Sequence, residues 1–308
     1  MTTEVKKMVD SFGRSQEDNA KRLEIMEAAN KEARENWGDP KYRADFAADL
    51  TESILLGFDY TTMVDQWIDT IRTDFNGREF IRESTGLKAF YMARGGYIEA
   101  SELTAEISEI PRDMLGVHVW EFEDKFLTSF ADSAQTLRDL SIRRMDAEIN
   151  RRIYTVLKQA LATSNTTTAA GISQAALDAA IASVQDESLE GSVTIIGRPQ
   201  VVNQLAGFDG FGNETLEELR RNGMFGQYHG CNIVTLRNWK DEDGVPYIPN
   251  NELWVLARDT GKFVFYGGLQ SKEFSELDNW YWHYLARRDT GIMVHHPERA
   301  HLLVDSSL

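Results

Sequence analysis

The stretch WYWHYLARRDTGIMVHHPERAHLLVD, from Trp280 to Asp305, constrains the fold of this chain more than any other. Successive side chains of a strand point to opposite faces, so Trp280, Trp282 and Tyr284 share one face and Tyr281, His283 and Leu285 the other. A strand that is aromatic on both faces has to be covered on both, by its own core or by a neighbouring subunit. An aromatic platform for single-stranded nucleic acid is the sharper alternative, but it needs a basic surround. With 49 acidic against 33 basic residues and a net charge of −16, this chain does not supply one.

The same alternation extends upstream. Strands are predicted at Asn232–Leu236, Leu253–Ala257, Phe263–Tyr266, Trp280–Arg287, Gly291–His295 and Ala300–Val304. Gly223, Gly226 and Gly230 punctuate the approach to the first of them, where positive φ or close backbone approach is needed. Before that the pattern alternates between helix and strand. Ser173 caps a helix carrying Ala176, Leu177, Ala180, Ile181 and Val184, Val193–Gly197 is a short buried strand, and Pro199 opens another helix at its first turn. Glu214–Arg221 reads as a further helix.

Residues 124–162 form the longest predicted helix, with Ile142, Met145, Ile149, Ile153, Val156 and Ala160 on one stripe. Asp139 with Arg143, and Glu148 with Arg152, have the spacing of acid-before-base pairs on its solvent side. The run Thr163–Gly171 is the clearest internal boundary. From Arg78 to Trp120 the period is two. Leu87, Ala89 and Tyr91, then Leu103, Ala105 and Ile107, alternate with their neighbours, Gly95-Gly96 marks a bend, Ile110-Pro111-Arg112 breaks the run, and Leu115, Val117 and Val119 continue it. This is a long hairpin with too few apolar positions to form its own core. The first 60 residues read as peripheral helices. Ser15 with Asp18 resembles a capping box, and Leu23, Met26, Ala29 and Ala33 make a thin stripe that stops at Gly38-Asp39-Pro40. A second helix carries Phe46, Leu50 and Ile54 and ends at Gly57.

No constellation for chemistry stands out. The lone Cys231 excludes an intrachain disulfide and a cysteine-based zinc site, and its apolar strand reads as core. Gly207, Gly210 and Gly212 have the wrong spacing for a dinucleotide fingerprint, and Gly261-Lys262 lacks the upstream glycine of a phosphate loop. Asp241–Gly244 imitates part of a calcium loop but has Trp239 and Asn250 at ligand positions, so an acidic hairpin turn is expected. His295, His296 and His301 fall on different faces and read as packing or interface residues. Catalytic, cofactor-binding and metal residues are therefore expected to be none. The N-terminus lacks an apolar signal region and no window approaches the ~18 apolar residues of a membrane span, which predicts a cytoplasmic product.

The order of these elements resembles the major capsid proteins of tailed bacteriophages, the Hong Kong 97-like fold. Tyr91-Met-Ala-Arg-Gly-Gly-Tyr97, Ile110-Pro-Arg-Asp113 and Trp280–Val304 are similar to such sequences. The resemblance implies an α+β fold with an N-terminal arm over 1–66, an extended β-hairpin loop over 67–122, and a spine helix of the peripheral domain over 123–169. An axial domain over 170–275 and peripheral return strands over 276–308 complete it. It implies a structural subunit, not an enzyme, that self-assembles as hexamers and pentamers into the icosahedral capsid of a virion around double-stranded DNA. Assembly would take place in the host bacterial cytoplasm, with a separate scaffolding protein and a portal, and with a decoration protein in some members. Lys88, Tyr91, Arg94, Gly95, Gly96 and Tyr97 are the subunit-interface candidates. Some members cross-link a loop lysine to an asparagine; Lys88 and Asn279 match by type alone, without a matching local motif, so no cross-link is expected. An acidic chain suits walls that enclose DNA without gripping it. The alternatives are an encapsulin-like compartment holding an enzyme cargo, favoured less by the long charged arm, and an α+β enzyme with an unrecognised site.

Overall fold

A computed structural model describes residues 8, 19–85, 104–188, 192–208, 226–236, 240, 246–276 and 280–308. Two N-terminal helices, α1 (Asn19–Asn36) and α2 (Pro40–Thr61), lead into a short α3 (Val64–Trp67). Asp39 begins α2 rather than only ending α1. Its side chain accepts a hydrogen bond from the Lys41 amide (2.9 Å), with Pro40 at the first turn. Helix α2 also runs on past Gly57, where a stop was expected. A Cβ at Gly57 would sit 2.5 Å from Ile142 Cδ1 and 2.8 Å from Arg138 Nη2, so this glycine marks a close helix crossing, not a terminus.

The chain then lays down β1 (Asp69–Thr73), β2 (Phe80–Thr85), β3 (Thr104–Glu109) and β4 (Arg112–Phe122). Next come a short α4 (Glu123–Thr128) and the long α5 (Phe130–Ala160). The predicted 124–162 helix is thus broken once, at Ser129, whose backbone is not helical. Ile142, Met145, Ile149 and Ile153 are buried as predicted, but the stripe continues through Tyr154 and Leu157, leaving Val156 and Ala160 half-buried. The surface pairs differ as well: Glu148 meets Arg151, Arg152 reaches Asp113 on β4 (2.6 Å), and Asp139 meets Arg138 (2.8 Å).

After α5, β5 (Thr166–Ala169) is followed by α6 (Gln174–Glu187), β6 (Val193–Gly197) and the single turn α7 (Pro199–Val202). The last strands are β7 (Gln227–Tyr228), β8 (Cys231–Thr235), β9 (Glu252–Ala257), β10 (Gly261–Glu276), β11 (Tyr281–Val294) and β12 (Ala300–Asp305). The Ser173 cap and the α6 stripe follow the sequence reading. Gly230 has φ +83° in the tight turn joining β7 to β8, as its position implied. The Thr163–Gly171 boundary is no free linker, because β5 pairs parallel to β12 from Leu302↔Thr166 to Asp305↔Ala169. The strands predicted at Trp280–Arg287 and Gly291–His295 are one, β11, and Phe263–Tyr266 is only the start of the sixteen-residue β10. The predicted helix at 214–221 lies outside the described residues.

Two larger sheets result. The first has the order β1-β10-β11-β4, and the second β5-β12-β9-β6-β8-β7. The chain leaves the second sheet for the first at the Arg258–Thr260 turn and returns to it with β12, so sheet membership changes at 258–260 rather than at 275. The six-residue β9 is buried throughout because its sheet is covered on both faces. Trp254 and Leu256 join the core beneath α5, while Leu253, Val255 and Ala257 join a second core beneath α6. Continuous apolar runs are what two-sided burial requires.

The inner face of the first sheet packs on α2, α4 and α5. Trp282 lies against Phe126 (ring centroids 4.7 Å) and Trp37 (5.5 Å), and Phe46 against Phe130 (4.9 Å). The narrow stripe of α1 is therefore supplemented by Trp37, just beyond its end. Helix α1 also completes the next helix start, since Asn30 Oδ1 accepts from the Ala131 amide (2.8 Å) and Arg34 donates to Thr128 O (2.8 Å). Two buried polar side chains near the spine are matched to each other. Trp67 Nε1 donates to Asn150 Oδ1 (2.8 Å), and Asn150 Nδ2 donates to Asp146 O (2.7 Å).

Candidate functional site

The hairpin is rooted on the outer face of the four-stranded sheet. β2 and β3 pair antiparallel from Phe80↔Glu109 to Thr85↔Thr104. This is the base of the hairpin read from the sequence, with eighteen intervening residues, 86–103, outside the described residues. Ile81 and Ile110 are buried on Val264 and Tyr266 and form a small separate core. Arg112, the first residue of β4, holds the root from the other side. It donates to Gly77 O (2.8 Å), stands 3.7 Å from Asp289, and lies 4.1 Å over the Tyr266 ring. A cation over an aromatic face in a partly desolvated site contributes about 0.5–2 kcal/mol. Burial pushes the Tyr266 hydroxyl pKa up. Beyond this root, Phe80 and Ile107 are exposed.

The rest of the outer face is aromatic and open. Antiparallel register places Phe122 opposite Tyr281, Trp120 opposite His283 and His118 opposite Leu285. On the other side of β11, Glu276 stands opposite Tyr281, Phe274 opposite His283 and Lys272 opposite Leu285. Met114, Trp120 and Trp280 are 65%, 57% and 68% exposed, and Phe122 and Phe274 are also exposed. Trp280 lies in the turn before β11 with φ +54°, so it does not share a buried face with Trp282 and Tyr284. On the other side of the edge strand β4, a groove of about 480 Å³ runs along α5, where Val117, Val119, Leu137 and Leu140 are mixed with Glu121, Asp132 and Arg144. Clustered exposed large apolar side chains of the kind on the outer face are a feature of interaction surfaces.

The interface candidates Lys88, Tyr91, Arg94, Gly95, Gly96 and Tyr97, like Asn279, lie outside the described residues. The sequence reading missed Met114, Trp120, Phe122 and Phe274. Its signal was present in β4, where the residues alternating with Leu115, Val117 and Val119 are also apolar or aromatic. Such a strand needs cover on both faces, as was argued for β11.

Among the described residues, no group of three or more His, Cys, Asp or Glu side chains is placed to hold a metal. Cys231 is buried, and burial pushes its thiol pKa up, which disfavours the reactive thiolate. Of the three C-terminal histidines, His295 and His296 lie ring to ring (centroids 4.5 Å), His296 also contacts Glu298 (2.9 Å), and His301 contacts Thr167 (3.0 Å) with its pKa lowered by burial. The turn at 241–245 and the glycines at 210 and 212 lie outside the described residues, although Lys240 and Pro246 form a bridge flanking that turn. No helix among the described residues is long and apolar enough to cross a membrane.

The described fold is thus a sheet and spine helix sharing one core, a second sheet covered on both faces, and the base of a two-stranded hairpin packed on the first sheet. Residues 124–298 match the family described as "SPbeta prophage-derived putative capsid protein YonB", and the chain belongs to that family. The solved structures it is similar to include the mature capsid of bacteriophage PhiM1, at 11% identity and a TM-score of 0.57, covering 81% of this chain and 88% of that one. The capsid of native GTA particle is similar at 10% identity and a TM-score of 0.56, covering 78% and 89%. A Microbacterium phage Oxtober96 chain is similar at 13% identity and a TM-score of 0.58, covering 79% and 90%. The fold is thus the tailed-phage capsid fold that the element order implied. No curated protein matches the chain by sequence.

Proposed function

We propose that the chain is the structural subunit of an icosahedral phage capsid, self-assembling as hexamers and pentamers into the shell that encloses double-stranded DNA. The observation that carries this is the hairpin on a capsid fold: among the side chains described at its base, Ile81 is buried while Phe80 and Ile107 are exposed. An isolated two-stranded hairpin is marginal in water, so its stability has to come from a surface it lies on. In this reading the hairpin crosses a neighbouring subunit through Lys88, Tyr91, Arg94, Gly95, Gly96 and Tyr97. The arm, 1–66, overlaps another neighbour, and the six-stranded sheet faces the ring axis. Weak contacts suffice because closure is multivalent. The role is non-catalytic. A scaffolding protein, a portal and, in a decorated shell, a decoration protein are the further partners, with assembly in the host cytoplasm and the virion as the final location. The net charge of −16 suits a wall that holds DNA without binding it in sequence-specific fashion.

Replacing Phe90 through Leu103 by a short Gly-Ser turn tests this. A folded, cooperatively melting protein that closes no shells under negative-stain electron microscopy is expected. Normal particles from that variant would remove the hairpin as an interface. A variant that cannot fold would place the segment in the core, in favour of an α+β protein of another kind.

A further inference from the structure

Two histidines touch in the middle of the exposed aromatic face. His118 Nε2 on β4 lies 3.1 Å from His283 Nδ1 on β11, with ring centroids 5.3 Å apart. They are diagonal neighbours, His118 opposite Leu285 and His283 opposite Trp120. Phe274 of β10 stacks flat on His283 at 4.5 Å and 5°, and lies 6.4 Å from His118. The far nitrogen of His283, Nε2, is 3.4 Å from Glu276 Oε1. His283 is buried, despite lying on the open face, because these rings close over it.

A hydrogen bond between two imidazole nitrogens needs one N–H and one lone pair. The contact therefore forms when the pair is neutral or carries one extra proton. In the singly protonated pair, His283 donates through Nδ1 to His118, and its Nε2–H faces the Glu276 carboxylate. A second proton leaves two donors and two positive charges across 3.1 Å, and the contact has to open. The other charged groups on this face reinforce that outcome. Lys272 on β10 stands beside Leu285, and Arg287 on β11, which donates to Gln270 Oε1 (3.2 Å), lies one row further along. Among the described residues, Glu276 is the carboxylate that stands against the pair, 3.4 Å from His283 Nε2.

We propose that the His118–His283 pair is a proton-operated latch on the outer sheet face, closed while it holds at most one extra proton and opened by the second. Opening places two charges among Trp120, Phe122 and Phe274 and so weakens burial of that face against a second copy of the chain. Desolvating a charge without a partner is what makes an apolar contact fail. The latch stands on the geometry alone; its effect on association rests on the shell-subunit function proposed above.

The test follows the histidine ring signals of the full chain, labelled at histidine Cε1, by NMR across pH 8 to 4. Interacting sites lose their protons in steps that belong to the pair. In the unsubstituted chain the His118 and His283 signals should both respond in each of two steps that belong to the pair. Coupling between binding sites is reciprocal. His118→Gln should therefore reduce the His283 curve to one step, and His283→Gln should do the same for His118, so either variant serves if the other fails to fold. Independent single steps in the unsubstituted chain would overturn the latch. Light scattering then follows association of the same chain as pH falls through the lower step. The unsubstituted chain should dissociate there and the His118→Gln/His283→Gln chain should stay associated. An identical pH dependence in both would overturn the link to association. A chain that never associates would count against the shell-subunit function while the NMR result still decides the latch.

Discussion

On the inner face of the four-stranded sheet, Trp282 and Tyr284 are fully buried against the helices, whereas on the outer face of the same sheet Trp120, Phe122 and Phe274 stay exposed. The two sets are one residue apart in register and chemically alike. What separates them is what lies opposite. The inner face meets Trp37, Phe46, Phe126 and Phe130 of its own chain, and among the described residues the outer face is covered at one end, by Ile81 and Ile110. Equal hydrophobicity therefore serves folding on one face and leaves a surface for association on the other.

The largest effect that sharpens this contrast belongs to the inner core. Ile149 is buried mid-stripe on α5, and Ile149→Asp places a carboxylate there without a partner. A loss of more than about 4 kcal/mol is expected, seen as insoluble or protease-sensitive protein. Soluble, shell-forming Ile149→Asp would show that the spine does not organise the core.

Next comes a matched pair. Trp282→Ala should cost about 3–5 kcal/mol of subunit stability by urea unfolding, because it empties the centre of the aromatic cluster. Trp120→Ala should cost less than about 1 kcal/mol, as expected of a side chain that is 57% exposed, yet reduce or abolish particles. Equal unfolding costs for the two would break the distinction between the faces.

A smaller effect appears at alkaline pH. Burial raises the Tyr284 pKa from 10.0 to about 12, and burial likewise raises Tyr154 to about 12. Below pH 10 both folded and unfolded chains keep these protons and the stability is complete. Between pH 10 and 12 the unfolded chain releases them first, so stability falls as pH rises, by up to roughly 2.7 kcal/mol for Tyr284. Tyr284→Phe should flatten that decline without removing the part due to Tyr154. The hydroxyl also donates to Thr51 (2.8 Å), whose own proton goes to Ala47 O (2.6 Å), so the variant starts about 1 kcal/mol lower at pH 8. Identical alkaline slopes in the two proteins would remove Tyr284 from the account.

Much of this architecture was legible in the residues because it rests on local periodicity. The stripe from Ile142 to Ile153, the Ser173 cap, the buried Val193–Gly197 strand and the hairpin around residues 80–109 depend on spacings of two or three to four residues and on backbone hydrogen bonds near in sequence. The element order followed from those, and the α+β class from the resemblance that order carries. Tertiary contacts decided the rest, because the deciding partner lies far along the chain. Gly57 reads as a stop until Ile142 and Arg138 are seen to need the space, and Ser129 breaks the spine helix while Asn30 and Arg34, about a hundred residues earlier, satisfy its backbone. Thr166–Ala169 reads as part of an internal boundary until β12 arrives to pair with it. Trp280 and Trp282 are equivalent by alternation, yet only the one that meets Trp37 and Phe126 is buried. Periodicity says which side chains share a face, and only the fold says which face the chain itself covers.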